Sequence, residues 1–135
     1  MSQARLHQIG AGGTGLPAIL YAAGLVYAVG GGSMDIFDGD EYHGSDRQRQ
    51  WLASTQAGQN KAFAIAELLT AAYGDAVSFN PVPLFVDETN ISDLLRFSEQ
   101  GHAAILVAPD NHGTRRLVSD WARDASCQGH LLVIT

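Results

Sequence analysis

The chain has 135 residues, which suits one domain and is too short for two of ordinary size. Apolar residues make up 46% of it and charged residues 16%, so it can bury a core. A net charge of −6 lacks the excess of Lys and Arg that duplex binding needs, which excludes nucleic-acid binding through a basic face. The single cysteine, Cys127, cannot form an internal disulfide. It favours a reducing compartment, and we expect the protein to be cytoplasmic.

The segment from Ile9 to Met34 carries no charged residue and could be mistaken for a membrane span. Eight glycines interrupt it and leave an apolar run of about 14 residues, which is nearer the length of a buried helix. A secretory signal would also need a basic start and a small-residue cleavage site. We therefore expect no membrane segment.

The first elements follow the order strand, glycine turn, helix and strand. Arg5–Ile9 is a β-prone run, and Leu16–Ala28 carries apolar residues at helical spacing. Pro17 fits the first helical turn, where its missing N–H costs nothing. Met34–Phe37 predicts a second buried strand that ends at an acidic turn.

A polar segment without clear periodicity, Tyr42–Gln59, follows and predicts a loop of about 18 residues, longer than most connections. Asn60 is typical of a helix cap, and Gly74 predicts where that helix ends. Apolar residues recur between them at spacings of three and four. They are Phe63, Ala66, Leu69, Ala72 and Tyr73.

The rest of the chain continues the alternation. Ala76–Val86 is strand-like but contains Pro81 and Pro83, so we expect an edge strand. The remaining predicted elements are a short helix over Ile91–Glu99, a strand over Ala103–Ala108, a helix over Thr114–Ala125 and a strand over Leu131–Ile134. This order predicts a Rossmann-like α/β fold, a parallel sheet with helices on both faces. Because the chain stops at a strand, we expect residues 1–135 to be the truncated part of a single domain.

The sequence Gly10-Ala11-Gly12-Gly13-Thr14-Gly15 has the form G-x-G-x-x-G and lies between the first strand and the first helix. Glycines let backbone N–H groups approach a phosphate, and a helix N-terminus adds partial positive charge. The pattern therefore indicates nucleotide binding through Gly10, Gly12, Gly13 and Gly15. The alternative is a glycine turn that only packs the helix on the strand.

Three carboxylates, those of Asp38, Asp40 and Glu41, follow the second strand. Asp38 is placed to accept hydrogen bonds from both ribose hydroxyls of a nucleotide held on the glycine loop, and Asp40 is a second candidate. The alternative is a solvated acidic turn. Only the pairing with the glycine loop favours ribose binding.

A longer set of motifs resembles the ThiF, MoeB and HesA family of adenylyltransferases, which are related to ubiquitin-activating enzymes. That family's pattern is GxGGxG, DxD, S-N-x-x-R-Q, a lysine opening a helix, and D-N after a later strand. The Asn111-His112 stretch and the Tyr73-Gly74 helix end also resemble the ThiF-related proteins of the plasmid PRTRC cassette. The matching residues here are Asp38-Gly39-Asp40, Ser45-Asp46-Arg47-Gln48-Arg49-Gln50, Lys61 and Asp110-Asn111 with Arg115.

The resemblance implies an enzyme that uses ATP and Mg²⁺ to activate the C-terminal carboxylate of a ubiquitin-like or sulfur-carrier protein, and that forms a homodimer. Asp38 would hold the ribose, Arg49 and Lys61 the phosphates, and Asp110 the Mg²⁺ ion. Arg49, Lys61 and Asp110 would thus carry the catalysis. The two basic side chains and the Mg²⁺ ion that Asp110 holds would be fixed cations that stabilise the charge developing on the phosphates. The further nucleotide-binding residues implied are Asp40, Asp46, Gln50 and Asn111.

The chain departs from the family pattern in places. Asp46 stands where the family has asparagine, and Arg47 where it has an apolar residue. We expect the two side chains to pair, because an unpaired carboxylate near a triphosphate would be repelled. The given sequence lacks the Arg-rich N-terminal stretch that in some relatives supplies an arginine to the partner subunit's site, and Arg5 lies too close to the first strand to replace it.

Other interpretations of the same residues remain. Arg49 can be a surface arginine, Lys61 an ordinary first-turn residue and Asp110 a turn residue at a strand end. A fragment of an NAD-dependent oxidoreductase is one alternative, although its ribose acid would usually lie about 20 residues beyond the glycine loop, whereas Asp38 lies 28 residues after Gly10. A nucleotide-binding scaffold without turnover is another.

Overall fold

The computed structural model of the chain describes residues 4–12, 15–43, 58–95, 103–108, 112–124 and 131–134. Strands and helices alternate along these residues, as the sequence predicts. The strands are β1 (Ala4–Ile9), β2 (Gly32–Phe37), β3 (Val77–Val82), β4 (Ala103–Val107) and β5 (Leu131–Ile134). The helices are α1 (Gly15–Ala28), α2 (Lys61–Tyr73), α3 (Ile91–Leu95) and α4 (His112–Asp124).

The strands form one sheet in the order β3-β2-β1-β4-β5, and every neighbouring pair is parallel. The chain moves outward from β1 through β2 to β3 and then returns to the other side of β1 to form β4. Ligands of open α/β sheets bind at such a reversal, outside the carboxyl ends of the strands. The Rossmann-like α/β prediction is confirmed.

Two apolar cores lie on the two faces of the sheet. Helices α1 and α2 cover one face, where Ile19, Met34 and Ile65 are fully buried. Helices α3 and α4 cover the other, where Ile105 is fully buried and Val118 packs beside it. The glycine loop and the acidic turn thus extend from a sheet that is packed on both sides.

Helix α2 has the predicted ends, and its buried face agrees with the prediction only in part. The Asn60 side chain accepts a hydrogen bond from the Phe63 N–H, and Gly74 follows the helix with a φ of 59°. Phe63 is 47% exposed and Ala72 is exposed, contrary to the predicted apolar stripe. Ala66 and Leu69 are buried as predicted, and Ala62 and Ile65 complete the stripe against the sheet.

Strand β3 is an edge of the sheet as far as the structure describes it, as Pro81 and Pro83 predict. The Val82 carbonyl accepts a hydrogen bond from the Asp38 N–H, on the β2 side. Because successive residues of a strand point their N–H groups to opposite sides, Pro81 faces away from β2. Its missing N–H therefore costs the sheet no hydrogen bond.

The remaining boundaries differ by a few residues. Helix α3 is described only as far as Leu95, so residues 96–99 of the predicted helix lie outside the described part, and α4 begins at His112 rather than Thr114. In the described segments no helix combines the length and apolarity needed to cross a membrane.

Candidate functional site

The glycine loop leaves the carboxyl end of β1. Gly10 has a φ of 94°, a conformation that side chains rarely adopt, and its N–H donates to the Phe37 carbonyl at 2.9 Å. At the start of α1, a Cβ added to Gly15 would overlap the carbonyl oxygen of Gly10. Glycine at both positions therefore lets the helix start directly against the loop, while Gly13 lies outside the described residues.

Asp38 joins this loop to the acidic turn after β2. Its Oδ2 accepts a hydrogen bond from the Ala11 N–H at 2.8 Å, and its Oδ1 accepts one from the Asp40 N–H at 2.9 Å. The residue is only 8% exposed. Since each carboxylate oxygen has a second lone pair, Asp38 retains the capacity to accept a further donor.

Lys61, the only lysine in the chain, is held beside this turn. Its Nζ lies 3.1 Å from the Asp40 Oδ2 and 5.6 Å from the centroid of the Tyr42 ring, and the residue is 6% exposed. Its backbone N–H also donates to the Asp40 carbonyl at 2.9 Å. A buried ammonium group in such contacts is not an ordinary solvated first-turn lysine.

The Asp40 carboxyl titrates below its ordinary range. Burial alone raises its pKa, but the hydrogen bond from Lys61 and the one from the Glu41 N–H lower it, as do the charges of Lys61 and His43, and the lowering prevails. Asp40 is therefore ionised at neutral pH and compensates the Lys61 charge.

Asn60 holds the ends of these segments together, a role that its capping position alone did not predict. Its Nδ2 donates to the Asp38 carbonyl at 2.9 Å and to the Asp40 carbonyl at 3.1 Å. Next to it, Tyr42 exchanges backbone hydrogen bonds with Gln59 and Gly58, at 2.9 and 2.7 Å. The long polar segment thus begins and ends at the site.

Several predicted site residues lie outside the described residues, so their roles stay predictions. Asp46, Arg49 and Gln50 belong to the segment whose two ends are joined at Tyr42. Asp110 and Asn111 follow β4, whose end is adjacent to that of β1 because the Ala108 N–H donates to the Ile9 carbonyl at 2.8 Å. Arg47 also lies outside, so its pairing with Asp46 stays a prediction.

No group of three or more His, Cys, Asp or Glu side chains is placed to hold a metal ion within the described segments. Asp38 and Asp40, two of the three carboxylates after β2, already accept protein hydrogen bonds, Asp38 from two N–H groups and Asp40 from Lys61 and the Glu41 N–H.

The structure also contains a polar pair, formed around a buried histidine, that the sequence interpretation missed. His7 is fully buried in β1, and its Nδ1 lies 3.0 Å from the Asp35 Oδ2 on β2. Asn80 of β3 donates to the other oxygen of Asp35 at 3.1 Å. The three residues are in register across the sheet, which a sequence pattern cannot reveal before the strand pairing is known.

A sequence model of the ThiF family matches residues 1–128. The chain is 35% identical over 120 residues to the SAMP-activating enzyme E1 of Haloferax volcanii, a match that covers 88% of this chain and 41% of that enzyme. It is 34% identical over 125 residues to the adenylyltransferase and sulfurtransferase uba4 of Aspergillus terreus, covering 90% of this chain and 24% of uba4. The chain therefore spans less than half the length of these relatives.

Among solved structures, the tRNA N6-threonylcarbamoyladenosine dehydratase of E. coli has the same fold over this region. The TM-score is 0.72 at 22% identity, covering 96% of this chain and 51% of that one. A structure of the same dehydratase in complex with ATP gives a TM-score of 0.71 at 20% identity, covering 96% and 50%. These likenesses extend to the fold of the sheet and its helices.

Proposed function

Because the chain belongs to the ThiF family, we propose that it carries the ATP site of an enzyme that adenylates the C-terminal carboxylate of a ubiquitin-like or sulfur-carrier protein. The relatives whose names include an E1 and an adenylyltransferase support this activity. The observation that carries the proposal is the Asp38 carboxylate, which ties the glycine loop to the turn that holds Lys61.

The proposed reaction forms one bond and breaks one. A carboxylate oxygen of the carrier protein attacks the α-phosphorus of ATP, and pyrophosphate leaves with the electron pair of the broken P–O bond. The product is an acyl-adenylate. Negative charge grows on the transferred phosphate and the leaving pyrophosphate, and fixed cations stabilise it.

Lys61 and Arg49 are the cations that we propose for this role. The Lys61 ammonium is already desolvated and lies at the start of α2, beside the acidic turn. The Asp40 carboxylate holds it in place before ATP binds, at a distance of 3.1 Å. The phosphates then become a second anionic partner of the same ammonium, while the Asp38 oxygens accept from the ribose.

Mg²⁺ would neutralise phosphate charge at this site. Asp38 and Asp40 already accept hydrogen bonds from protein donors, and we propose that Asp110, which follows β4 next to β1, supplies the carboxylate that holds the ion. One carboxylate with phosphate oxygens and water suits the octahedral preference of Mg²⁺.

We also propose that the chain forms a homodimer. The outer side of α1 supports this, because no charged residue occurs there and large apolar side chains are exposed. Tyr21 is 72% exposed, Leu25 52% and Val29, just after the helix, 69%.

Light scattering should give twice the chain mass. A Tyr21→Glu/Leu25→Glu variant should be monomeric, whereas the control variant Phe63→Glu on α2 should stay dimeric. A monomeric parent chain would exclude this part of the proposal.

The activity is tested by ATP–pyrophosphate exchange with the full chain and a candidate carrier protein. Exchange that requires the carrier, and that falls by at least tenfold in Lys61→Ala, supports adenylation. ATP binding without exchange, across the available carriers, would instead favour a nucleotide-binding scaffold, an alternative that Asp46 in place of asparagine already suggests.

A further inference from the structure

Three neighbouring strands end side by side at the proposed nucleotide site. The glycine loop follows β1, Asp38 follows β2, and the segment that begins at Pro83 follows β3. The Asp38 N–H donates to the Val82 carbonyl at 3.1 Å, so the ends of β2 and β3 are joined. Neighbouring strands lie about 4.8 Å apart, so the three ends form a row about 10 Å long.

Phe85 lies at the far end of this row and packs against Gly39, the residue after Asp38. A Cβ added to Gly39 would lie 2.5 Å from the Phe85 Cδ2 and 2.8 Å from its Cε2, so the contact requires glycine. The ring is nevertheless 63% exposed. An aromatic ring therefore lies beside the ribose acid with much of its surface open.

The backbone around Phe85 is held in place. The Asn90 Nδ2 donates to the Phe85 carbonyl at 2.8 Å, and the Asn90 Oδ1 accepts from the Asp87 N–H at 2.8 Å. Val86, the next residue, is buried in the core under α3. A ring on such an anchored segment loses little conformational freedom when a ligand covers it.

We propose that Phe85 is the surface on which the base of the bound nucleotide stacks. This inference rests on the proposed function, which places the phosphates at the glycine loop and the ribose at Asp38. The order of phosphate, ribose and base in a nucleotide then follows the order of the β1, β2 and β3 ends. Phe85 is the exposed aromatic side chain at the third of them.

Stacking on Phe85 would increase the affinity for a nucleotide without making the site specific for one base. Every nucleobase has a flat π-face, and stacking on an aromatic side chain tolerates any of them. Replacing Phe85 should therefore weaken the binding of ATP and GTP by a similar factor. Choice between the two must come from polar groups elsewhere at the site.

The test compares ligands that have and lack a base, by calorimetry on the full chain. Phe85→Ala should weaken ATP binding by about 5- to 100-fold, because a stacking contact has that value. Binding of inorganic tripolyphosphate, which has no base, should change by less than twofold. Leu84→Ala is the matched control, since Leu84 is adjacent and 48% exposed. It should leave both affinities unchanged.

Two further variants keep the experiment decisive. Phe85→Leu preserves apolar bulk on Gly39, so it covers the case in which the alanine variant unfolds, and it should also lose ATP affinity. Phe85→Trp should retain or increase it. Unchanged ATP affinity in Phe85→Leu, or an equal loss for tripolyphosphate, would overturn the stacking role while leaving the ATP site intact. A parent chain that binds tripolyphosphate but not ATP would refute the proposed function as well.

Discussion

Asp38 has a structural role that does not depend on a bound nucleotide, because its two oxygens accept hydrogen bonds from the N–H groups of Ala11 and Asp40. Asp38→Ala removes both acceptors at a site that is only 8% exposed. A buried donor left unpaired costs about 1–3 kcal/mol. We expect Asp38→Ala to lower the free energy of unfolding by about 2–4 kcal/mol in urea titrations.

Asp93 provides the control for that measurement. It is an exposed aspartate on α3, and replacing it with alanine should change stability by less than about 0.5 kcal/mol. Similar small effects of the two substitutions would mean that Asp38 does not organise the loop.

The contact between Lys61 and Asp40 predicts that the Asp40 pKa depends on the Lys61 ammonium group. Because the Asp40 pKa is lowered in the folded chain, its contribution to stability is present above the unfolded value of 3.8 and is lost as the pH falls through the folded pKa. Lys61→Met removes the ammonium that lowers it, so the Asp40 pKa should rise. Carboxyl carbon chemical shifts followed by NMR from pH 6 to 2 measure this directly.

Asp87 is an internal reference for the same titration. Its pKa is lowered by the Thr89 hydroxyl and by backbone N–H groups of Thr89 and Asn90, none of which Lys61 touches. The Asp87 pKa should therefore be the same in the parent chain and in Lys61→Met. An Asp40 pKa that also stays unchanged would contradict the pairing.

At the scale of the element, helix α1 depends on the absence of a side chain at Gly15. Gly15→Ala would force a methyl group against the Gly10 carbonyl oxygen, and overpacking of this kind costs about 1–3 kcal/mol. Gly24→Ala, in the same helix, places its methyl 3.7 Å from the Tyr73 hydroxyl, which is ordinary contact.

The two substitutions should therefore have opposite signs. Gly24→Ala should stabilise the chain by about 0.5–1 kcal/mol, because alanine restricts the unfolded backbone. Thermal and urea unfolding of both variants measure the difference. Destabilisation by Gly24→Ala to the same extent as by Gly15→Ala would show that helix α1 tolerates no added methyl group and that the close approach at Gly10 is not special.

Local signals predicted the ends of elements better than their faces. Asn60 and Gly74 act on the backbone within a few residues, so their sequence positions identified both ends of α2. The buried side of α2 was predicted only in part, since Ala66 and Leu69 are buried as expected but Phe63 and Ala72 are exposed. Lys61 and Ala62 point inward only because Asp40 and β2 are there, which depends on tertiary contacts.

At the scale of the whole molecule, a parallel sheet with helices on both faces could be predicted because alternating strands and helices with right-handed crossovers leave few arrangements. The contacts that close the site could not. Asn60 bonds to Asp38 and Asp40, which are 22 and 20 residues away, and Phe85, after β3, packs against Gly39, after the neighbouring strand β2. Such contacts have no local sequence signature, because they arise only when the strand ends are brought side by side.

The central claim is that this edge of the sheet is an ATP site, and thermal unfolding of the full chain with ATP and Mg²⁺ or with NAD tests it most directly. A ligand at one hundred times its Kd stabilises the native state by about 2.7 kcal/mol, which raises Tm by several degrees. We expect that increase with ATP and Mg²⁺, a clearly smaller one in Lys61→Ala, and none with NAD. Equal or greater stabilisation by NAD would contradict the account and favour a dinucleotide-binding oxidoreductase.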